Sequence, residues 1–253
     1  MNLRDISAIV SGGASGLGEV TARALRRAGA HVAVLDIDGH KVARVAADID
    51  GVGITCDVTD SADTETAVAK AYDQNGSARI VVMCAGIAPA GRILGRDGPM
   101  DLASFRKVIE VNLVGTLNLM RLAAAQASLL PPMEDGERAV MVTTASIAAF
   151  DGQIGQAAYA ASKASVAGLT LPAAREFSSA GIRVCCIAPG IFAAPMLLGM
   201  PDDVRRQLTD SVPFPKRLGR PEEFAKLALA IITNPMLNGE VIRLDGALRM
   251  APR

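Results

Sequence analysis

A chain of 253 residues, half of them hydrophobic and about a fifth charged, has enough apolar surface for one large core and no need of a second domain. Lys plus Arg (26) balance Asp plus Glu (26) with no basic segment, which argues against nucleic acid or an anionic membrane as partner. Two histidines and four cysteines lacking a Cys-x-x-Cys pair argue against a zinc site or a Ser-His-Asp hydrolase, so no metal is expected and the thiols read as buried and reduced.

Strand-like residues begin at about Ile6, and the longest apolar runs look strand-sized. Neither a leader peptide nor a membrane span is expected, and the default is a soluble cytoplasmic protein. Strands are predicted over 6–11, 31–36, 52–57, 80–84, 139–145, 183–188 and 241–244. Between them lie amphipathic or Ala-rich stretches, including 17–27, 62–73, 102–126, 157–178 and 221–233. Strands apolar on both faces and separated by helices indicate a parallel sheet covered on two sides. The repeated βαβ unit predicts a doubly wound, Rossmann-type sheet of about seven strands, in a single domain spanning residues 1–253. Three loops are long enough to be functional: 88–100, 129–138 and 191–215. The first and third lie beyond the carboxyl ends of strands, where such sheets bind ligands; the second reads as surface.

The first strand runs into Ser11-Gly12-Gly13-Ala14-Ser15-Gly16-Leu17-Gly18 and then a helix. Gly12, Gly16 and Gly18 permit a tight turn, close approach to a pyrophosphate and close helix–strand packing. Asp36 ends the second strand, eighteen residues after Gly18. A carboxylate there accepts from an adenosine ribose and repels a 2′-phosphate, selecting NAD over NADP; a capping or loop role is the competing account. Asp57 and Val58 close the third strand and are placed to cover the adenine. Cys84, Ala85 and Gly86 close the fourth, their small size leaving room for the cofactor ribose.

Tyr159 and Lys163 stand four residues apart in a helical stretch, with Ser146 thirteen residues upstream of Tyr159 at a strand end. Positions i and i+4 are neighbours on a helix. An ammonium there is expected to pull the phenol pKa down from about 10, making a proton acceptor for an alcohol. Ser146 is expected to orient the substrate oxygen and Lys163 also to hold the nicotinamide ribose. Asn112, on an apolar helix face, needs buried partners; a water linking it to Lys163 would relay the proton outward. Pro189 and Gly190 turn the chain over the nicotinamide, with Phe192 near its ring. The 191–215 loop, almost wholly apolar across 193–201, is predicted to be a lid over an aliphatic or alicyclic substrate, with core packing as the alternative. Arg92 and Arg96, or Arg205 and Arg206, can meet the phosphates of an acyl carrier or simply be solvated.

At these residues the sequence resembles the short-chain dehydrogenase/reductase family, and within it the type-2 3-hydroxyacyl-CoA dehydrogenase group. The group-specific stretches are 145–153, continuing to Gln156 and Tyr159, and 238–247. The resemblance implies NAD-dependent oxidation of a secondary alcohol in short or branched 3-hydroxyacyl-CoA thioesters or hydroxysteroids, by a homotetramer built through the long helices and the C-terminal segment. It places Asn112, Ser146, Tyr159 and Lys163 in catalysis and Gln156 beside the substrate. Ser15, Leu17, Asp36, Asp57, Val58, Cys84 and Phe192 fall at its cofactor positions. Met83, Arg79 and Ala194 depart from the usual Asn, Asp and Thr. Two rivals remain: a 3-oxoacyl-carrier-protein reductase, against which Asp36 counts, and a non-catalytic scaffold, against which the intact catalytic positions count.

Overall fold

A computed structural model describes residues 1–96, 98–194 and 202–252, the side chains of 202–205 excepted. Along the chain run β1 (Ser7–Ser11), α1 (Gly16–Arg27), β2 (His31–Asp36), α2 (Gly39–Asp48), β3 (Val52–Thr55), α3 (Ser61–Asn75) and β4 (Ile80–Met83). A small antiparallel pair follows, β5 (Leu94–Gly95) with β6 (Gly98–Pro99), then α4 (Leu102–Ile109), α5 (Gly115–Ala127) and β7 (Ala139–Thr144). The chain continues through α6 (Ala157–Glu176), β8 (Ile182–Pro189), α7 (Asp202–Asp210), α8 (Pro221–Thr233) and β9 (Val241–Leu244).

Seven strands form one parallel sheet in the order β3-β2-β1-β4-β7-β8-β9. Each predicted strand is present, its ends within two residues of expectation. All residues of β1, β4 and β8 are buried, as the unbroken apolar runs require of strands covered on both faces. Successive residues feed opposite layers. Ile9, Val81 and Met141 pack with Leu119 and Met120 of α5, whereas Val10, Val82 and Val142 pack with Leu25 of α1 and Phe224 and Ile231 of α8. Strand order reverses between β1 and β4, and the crevice beyond their carboxyl ends is the place this topology offers a ligand.

Two differences from the sequence reading bear on the site. The 102–126 stretch is not one regular helix: α4 and α5 are joined by a π turn, Glu110–Val114. The extra residue in that turn carries Asn112, and such bulges recur at functional sites. The continuous helical run Leu102–Ala127 is also long and apolar enough, by length and composition alone, to cross a bilayer. It corrects the expectation that apolar runs are strand-sized; half of its most apolar window is buried inside the fold. Helix α2, absent from the predicted set, starts at Asp38, whose carboxylate accepts from the Lys41 N–H.

Candidate active site

The glycine loop is shaped by steric necessity. Gly12 and Gly16 adopt φ of +62° and +54°, left-handed conformations that side chains resist. A Cβ on Gly12 would stand 2.6 Å from the Ala85 nitrogen, and one on Gly18 would collide with the Gly12 carbonyl oxygen. The loop therefore lies directly on the Cys84-Ala85-Gly86 segment after β4, and α1 lies directly on the loop. Ser15 is the N-cap of α1 but its hydroxyl does not cap the helix, leaving it and first-turn N–H groups uncommitted at a helix N-terminus, where an anion is favoured. Leu17 packs partly buried beside them.

Asp36, half-buried at the end of β2, accepts from the Ala14 and Asp38 N–H groups, each at 3.2 Å. Its carboxylate is thus anchored to the glycine loop itself, which meets part of the competing loop account and also fixes it at the crevice rim. Asp57 is committed locally: one of its oxygens accepts from the Thr59 N–H at 2.9 Å and the Thr59 hydroxyl at 2.7 Å. Val58 beside it is held by α5. Asn118 donates to its carbonyl at 3.0 Å, and any Cβ on Gly115 would approach its side chain to 2.6 Å.

On the other side of the crevice, Ser146 follows β7 in extended backbone and accepts from the Ala148 N–H at 3.1 Å, opening a short 3₁₀ turn, Ile147–Ala149. Tyr159 and Lys163 lie on the first turns of α6, facing Ser146. Lys163 is 5% exposed; its ammonium donates to the Thr144 carbonyl at 2.7 Å and sits 5.9 Å from the centre of the Tyr159 ring. Burial pulls its pKa down to about 8, with the Cys186 and Cys84 thiols opposing. Burial likewise pushes the Tyr159 phenol up, opposed by a hydrogen bond with Ser146. This corrects the expectation that the Lys163 ammonium pulls the Tyr159 pKa down. In the chain by itself desolvation dominates, and the ammonium is spent on a carbonyl rather than on the phenol.

Asn112 is fully buried and clamps the turn after β4. Its Oδ1 accepts from the Ile87 N–H at 2.8 Å, and its Nδ2 donates to the Ile87 carbonyl and the Ser162 hydroxyl, both at 2.9 Å. Ser162 donates on to the Tyr159 carbonyl at 2.7 Å. Both amide hydrogens are used, which leaves one lone pair of Oδ1 for a water. That oxygen faces Gly86, where an added Cβ would stand 3.1 Å from it and 3.4 Å from the Lys163 nitrogen. Gly86 is therefore the gap through which Asn112 and Lys163 approach one another.

Three comparisons with known proteins bear on this geometry. Residues 12–248 match the family described as Enoyl-(Acyl carrier protein) reductase. The chain is 48% identical over 254 residues to a 3-hydroxyacyl-CoA dehydrogenase type-2 of Drosophila melanogaster, covering 99% of this chain and all of that protein. The Homo sapiens protein of the same name is 46% identical over 99% of this chain and 98% of its own. The crystal structure of 3-hydroxyacyl-CoA dehydrogenase type-2 from Mycobacterium avium superposes with a TM-score of 0.94 at 45% identity, covering 98% of both chains. The chain belongs to the short-chain dehydrogenase/reductase family.

As a short-chain dehydrogenase/reductase the protein is an oxidoreductase enzyme that works with a nicotinamide cofactor. The residues fit such a dinucleotide: glycines stand wherever a Cβ would fill the cradle, and a helix N-terminus and a rim carboxylate flank it. Ala85 and Gly86 line the middle of the crevice. Gly190 turns the chain at the far end, its N–H donating to the Leu244 carbonyl at 2.9 Å after Pro189 closes β8. The Phe192 ring is buried in a core cluster with Phe224 and Leu244. It packs on Gly219 and lines a cavity of about 260 Å³ with Val212, Leu244 and Asp245. Cys84 is half-buried, receives the Thr144 hydroxyl at 3.5 Å and has its pKa pushed up to about 11 by desolvation, so it is a packing thiol.

On the substrate side, Gln156 is the N-cap residue of α6 and accepts from the Gln153 N–H at 3.2 Å. Its backbone bridges to Gly91, tying the 88–100 loop to the segment after Ser146. Arg92, Arg96 and Arg206 are exposed. The predicted lid falls partly outside the described residues: 195–201, and the Arg205 side chain, cannot be placed among the site groups. Of the departures from the family pattern, Met83 is buried within β4, and Arg79 donates to the Arg138 and Pro131 carbonyls at 3.0 Å. Arg79 thereby pins the 129–138 loop to the sheet. Ala194 closes the described part of the lid, its N–H donating to Phe192 at 2.7 Å. Sequence reasoning passes over Ser162 and Thr144. Ser162 shares its helix face with Tyr159 and carried that signal; the Thr144 carbonyl is a backbone group that no residue type announces.

Proposed function

We propose that this enzyme oxidises the secondary alcohol of a short or branched 3-hydroxyacyl-CoA to the ketone, with NAD as the hydride acceptor and hydroxysteroids as a second alcohol class. The observation that carries the reading is the convergence of Ser146, Tyr159 and Lys163 beside the Cys84-Ala85-Gly86 segment, on which the glycine loop also lies. When bound, an oxidised nicotinamide supplies the hydride acceptor and a positive charge. The Ser146 hydroxyl orients the substrate oxygen. Tyr159 takes the alcohol proton, and the buried Lys163 ammonium stabilises the phenolate as it forms. Asn112 keeps the turn after β4 in register with α6 and offers its remaining lone pair to a water that carries the proton outward. The names of the relatives support the 3-hydroxyacyl-CoA class. A scaffold without chemistry is disfavoured by a complete set of reacting groups.

Asp36 supports NAD over NADP, because a carboxylate fixed to the loop repels a 2′-phosphate. The test is reduction of NAD⁺ and NADP⁺ across 3-hydroxyacyl-CoAs and hydroxysteroids. The expected result is kcat/KM at least about a hundredfold higher with NAD⁺, the size of a like-charge contact of a few kcal/mol. Highest turnover is expected on a short or branched acyl-CoA. An NADP preference, or turnover of carrier-protein thioesters alone, would replace this reading with the 3-oxoacyl reductase.

A homotetramer is part of the same proposal. Helix α6 exposes Ala161, Ala164, Gly168 and Leu171, and α5 with its preceding turn exposes Val114 and Leu117, an apolar face suited to a second copy. A cytoplasmic location accords with four free cysteines.

A further inference from the structure

One guanidinium lies behind both halves of the site without touching either. Arg243 is the third residue of β9, paired in register with Ala188 of β8. Its Nε donates to Asp245 Oδ2 at 2.7 Å, and its Nη2 donates to Asp151 Oδ2 at 2.6 Å and to the Leu248 carbonyl at 2.9 Å. Its face stacks 5.1 Å from the centre of the Phe150 ring. The side chains of Arg243, Asp151 and Asp245 are 21%, 19% and 7% exposed, so solvent screens this fork less than an open surface pair.

Each carboxylate leads to a different wall. Asp151 ends the turn that Ser146 begins: the Asp151 N–H donates to the Ile147 carbonyl at 2.9 Å and the Ala149 N–H to the Ser146 carbonyl at 3.0 Å. Asp245 backs the Pro189-Gly190 turn, where a Cβ on Gly190 would stand 2.8 Å from the Asp245 Cα. The C-terminal tail completes the brace. Leu248 packs on Ile147 and Val212, the Ala251 carbonyl accepts from the Gln153 side chain at 2.9 Å, and the Pro252 carbonyl accepts from the Ile154 N–H at 3.0 Å.

We propose that Arg243, through Asp151 and Asp245, is a positioning residue that sets the distance between the Ser146 turn and the Gly190 turn. It thereby aligns the substrate alcohol with the hydride acceptor. The inference rests on the orienting role given to Ser146 above. A guanidinium fork holds two carboxylates at fixed separation in a plane, which a lysine cannot do. Misplacing a reacting group by about 1 Å costs on the order of a hundredfold in rate.

The test is steady-state kinetics of Arg243→Met, Arg243→Lys, Asp151→Asn and the Arg243→Met/Asp151→Asn double variant, with 3-hydroxybutyryl-CoA and NAD⁺, alongside Ser146→Ala. NADH affinity and melting curves are measured on each. The expected result is kcat lowered about 10- to 100-fold in Arg243→Met and Asp151→Asn with NADH affinity kept. Arg243→Lys should recover part of the loss, and the double variant should be no slower than the worse single one, because both break one link. A folded Asp151→Asn enzyme with parental kcat, losses that multiply in the double variant, or failure of both single variants to fold would each overturn the positioning role. Parental turnover in Ser146→Ala would instead defeat the reading beneath it. An inactive Ser146→Ala beside a parental Asp151→Asn defeats this inference alone.

Discussion

Tyr159→Phe is expected to lower kcat by about 10² to 10⁴, the usual worth of a positioned acid–base group, while cofactor binding survives. The substitution removes one oxygen from a half-buried ring and leaves the glycine loop, Asp36 and the Gly190 turn untouched. Burial already holds the phenol neutral and above its ordinary value. The fold therefore gives up one hydrogen bond with Ser146, and stability should move by no more than about 1 kcal/mol. Binding, measured by quenching or shift of reduced-cofactor fluorescence, should match the parent within error. Turnover within tenfold of the parent would remove Tyr159 from the proton-transfer role. Loss of cofactor binding together with turnover would show that the ring, rather than its hydroxyl, matters.

The raised phenol sharpens a point about how the electrostatics work. A lysine one helical turn away does not by itself make a tyrosine acidic when both groups are desolvated. Each neutral form then gains: Tyr159 is pushed up and Lys163 down. On the proposed mechanism, the positive charge of an oxidised nicotinamide would favour the phenolate and so help Tyr159 accept a proton.

The sheet was legible in the sequence because parallel strands buried on both faces show as unbroken apolar runs. The runs at 80–84 and 184–188 are direct examples. The glycine loop was legible because Gly12 and Gly18 answer steric demands that no other residue meets. Helix α2 was missed because Gly39-His40 opens it with weak helix formers, and its stability comes from the Asp38 cap and from Val42 and Val45 packed below. The π turn at Asn112 was invisible since one inserted residue barely perturbs hydrophobic periodicity over 102–126. Asn112 itself was found, but as an amide in want of partners; its partners, Ile87 and Ser162, are 25 and 50 residues away. Arg243 and Asp151 are 92 residues apart. Only the fold brings a strand end from one terminus against the turn after Ser146, so no local pattern announces that brace. The packing of the Phe192 ring on Gly219 was likewise beyond reach, since the two lie on separate segments and a Cβ at 219 would stand 2.8 Å from the ring.

Lys163→Met is expected to lose turnover and gain stability together. The side chain is buried, and among the described residues its ammonium has one hydrogen-bond partner, the Thr144 carbonyl. The fall in pKa from 10.5 to about 8 corresponds to about 3 kcal/mol against the charged form. Methionine has nearly the same length and no charge to desolvate. It leaves the Thr144 carbonyl without its donor, which returns about 1–2 kcal/mol, so a net gain of about 1–2 kcal/mol is expected. The pH dependence fixes the sign. Below about pH 8 the lysine is protonated both folded and unfolded, so the full penalty falls on the parent. Between about 8 and 10.5 the unfolded chain holds a proton that the folded one has released, and parental stability rises with pH. The advantage of the variant should therefore be largest in neutral solution and fade toward pH 10.5. Chemical denaturation of both proteins at several pH values in the absence of cofactor measures it. Turnover should fall with the ammonium, by an amount of the order of 10² or more, since neither the phenolate nor the ribose retains its cation. A variant that is less stable at neutral pH, or one whose advantage grows with alkalinity, would show that the lysine is solvated or paired in solution. The trade of stability for a buried charge at this site would then be disproved.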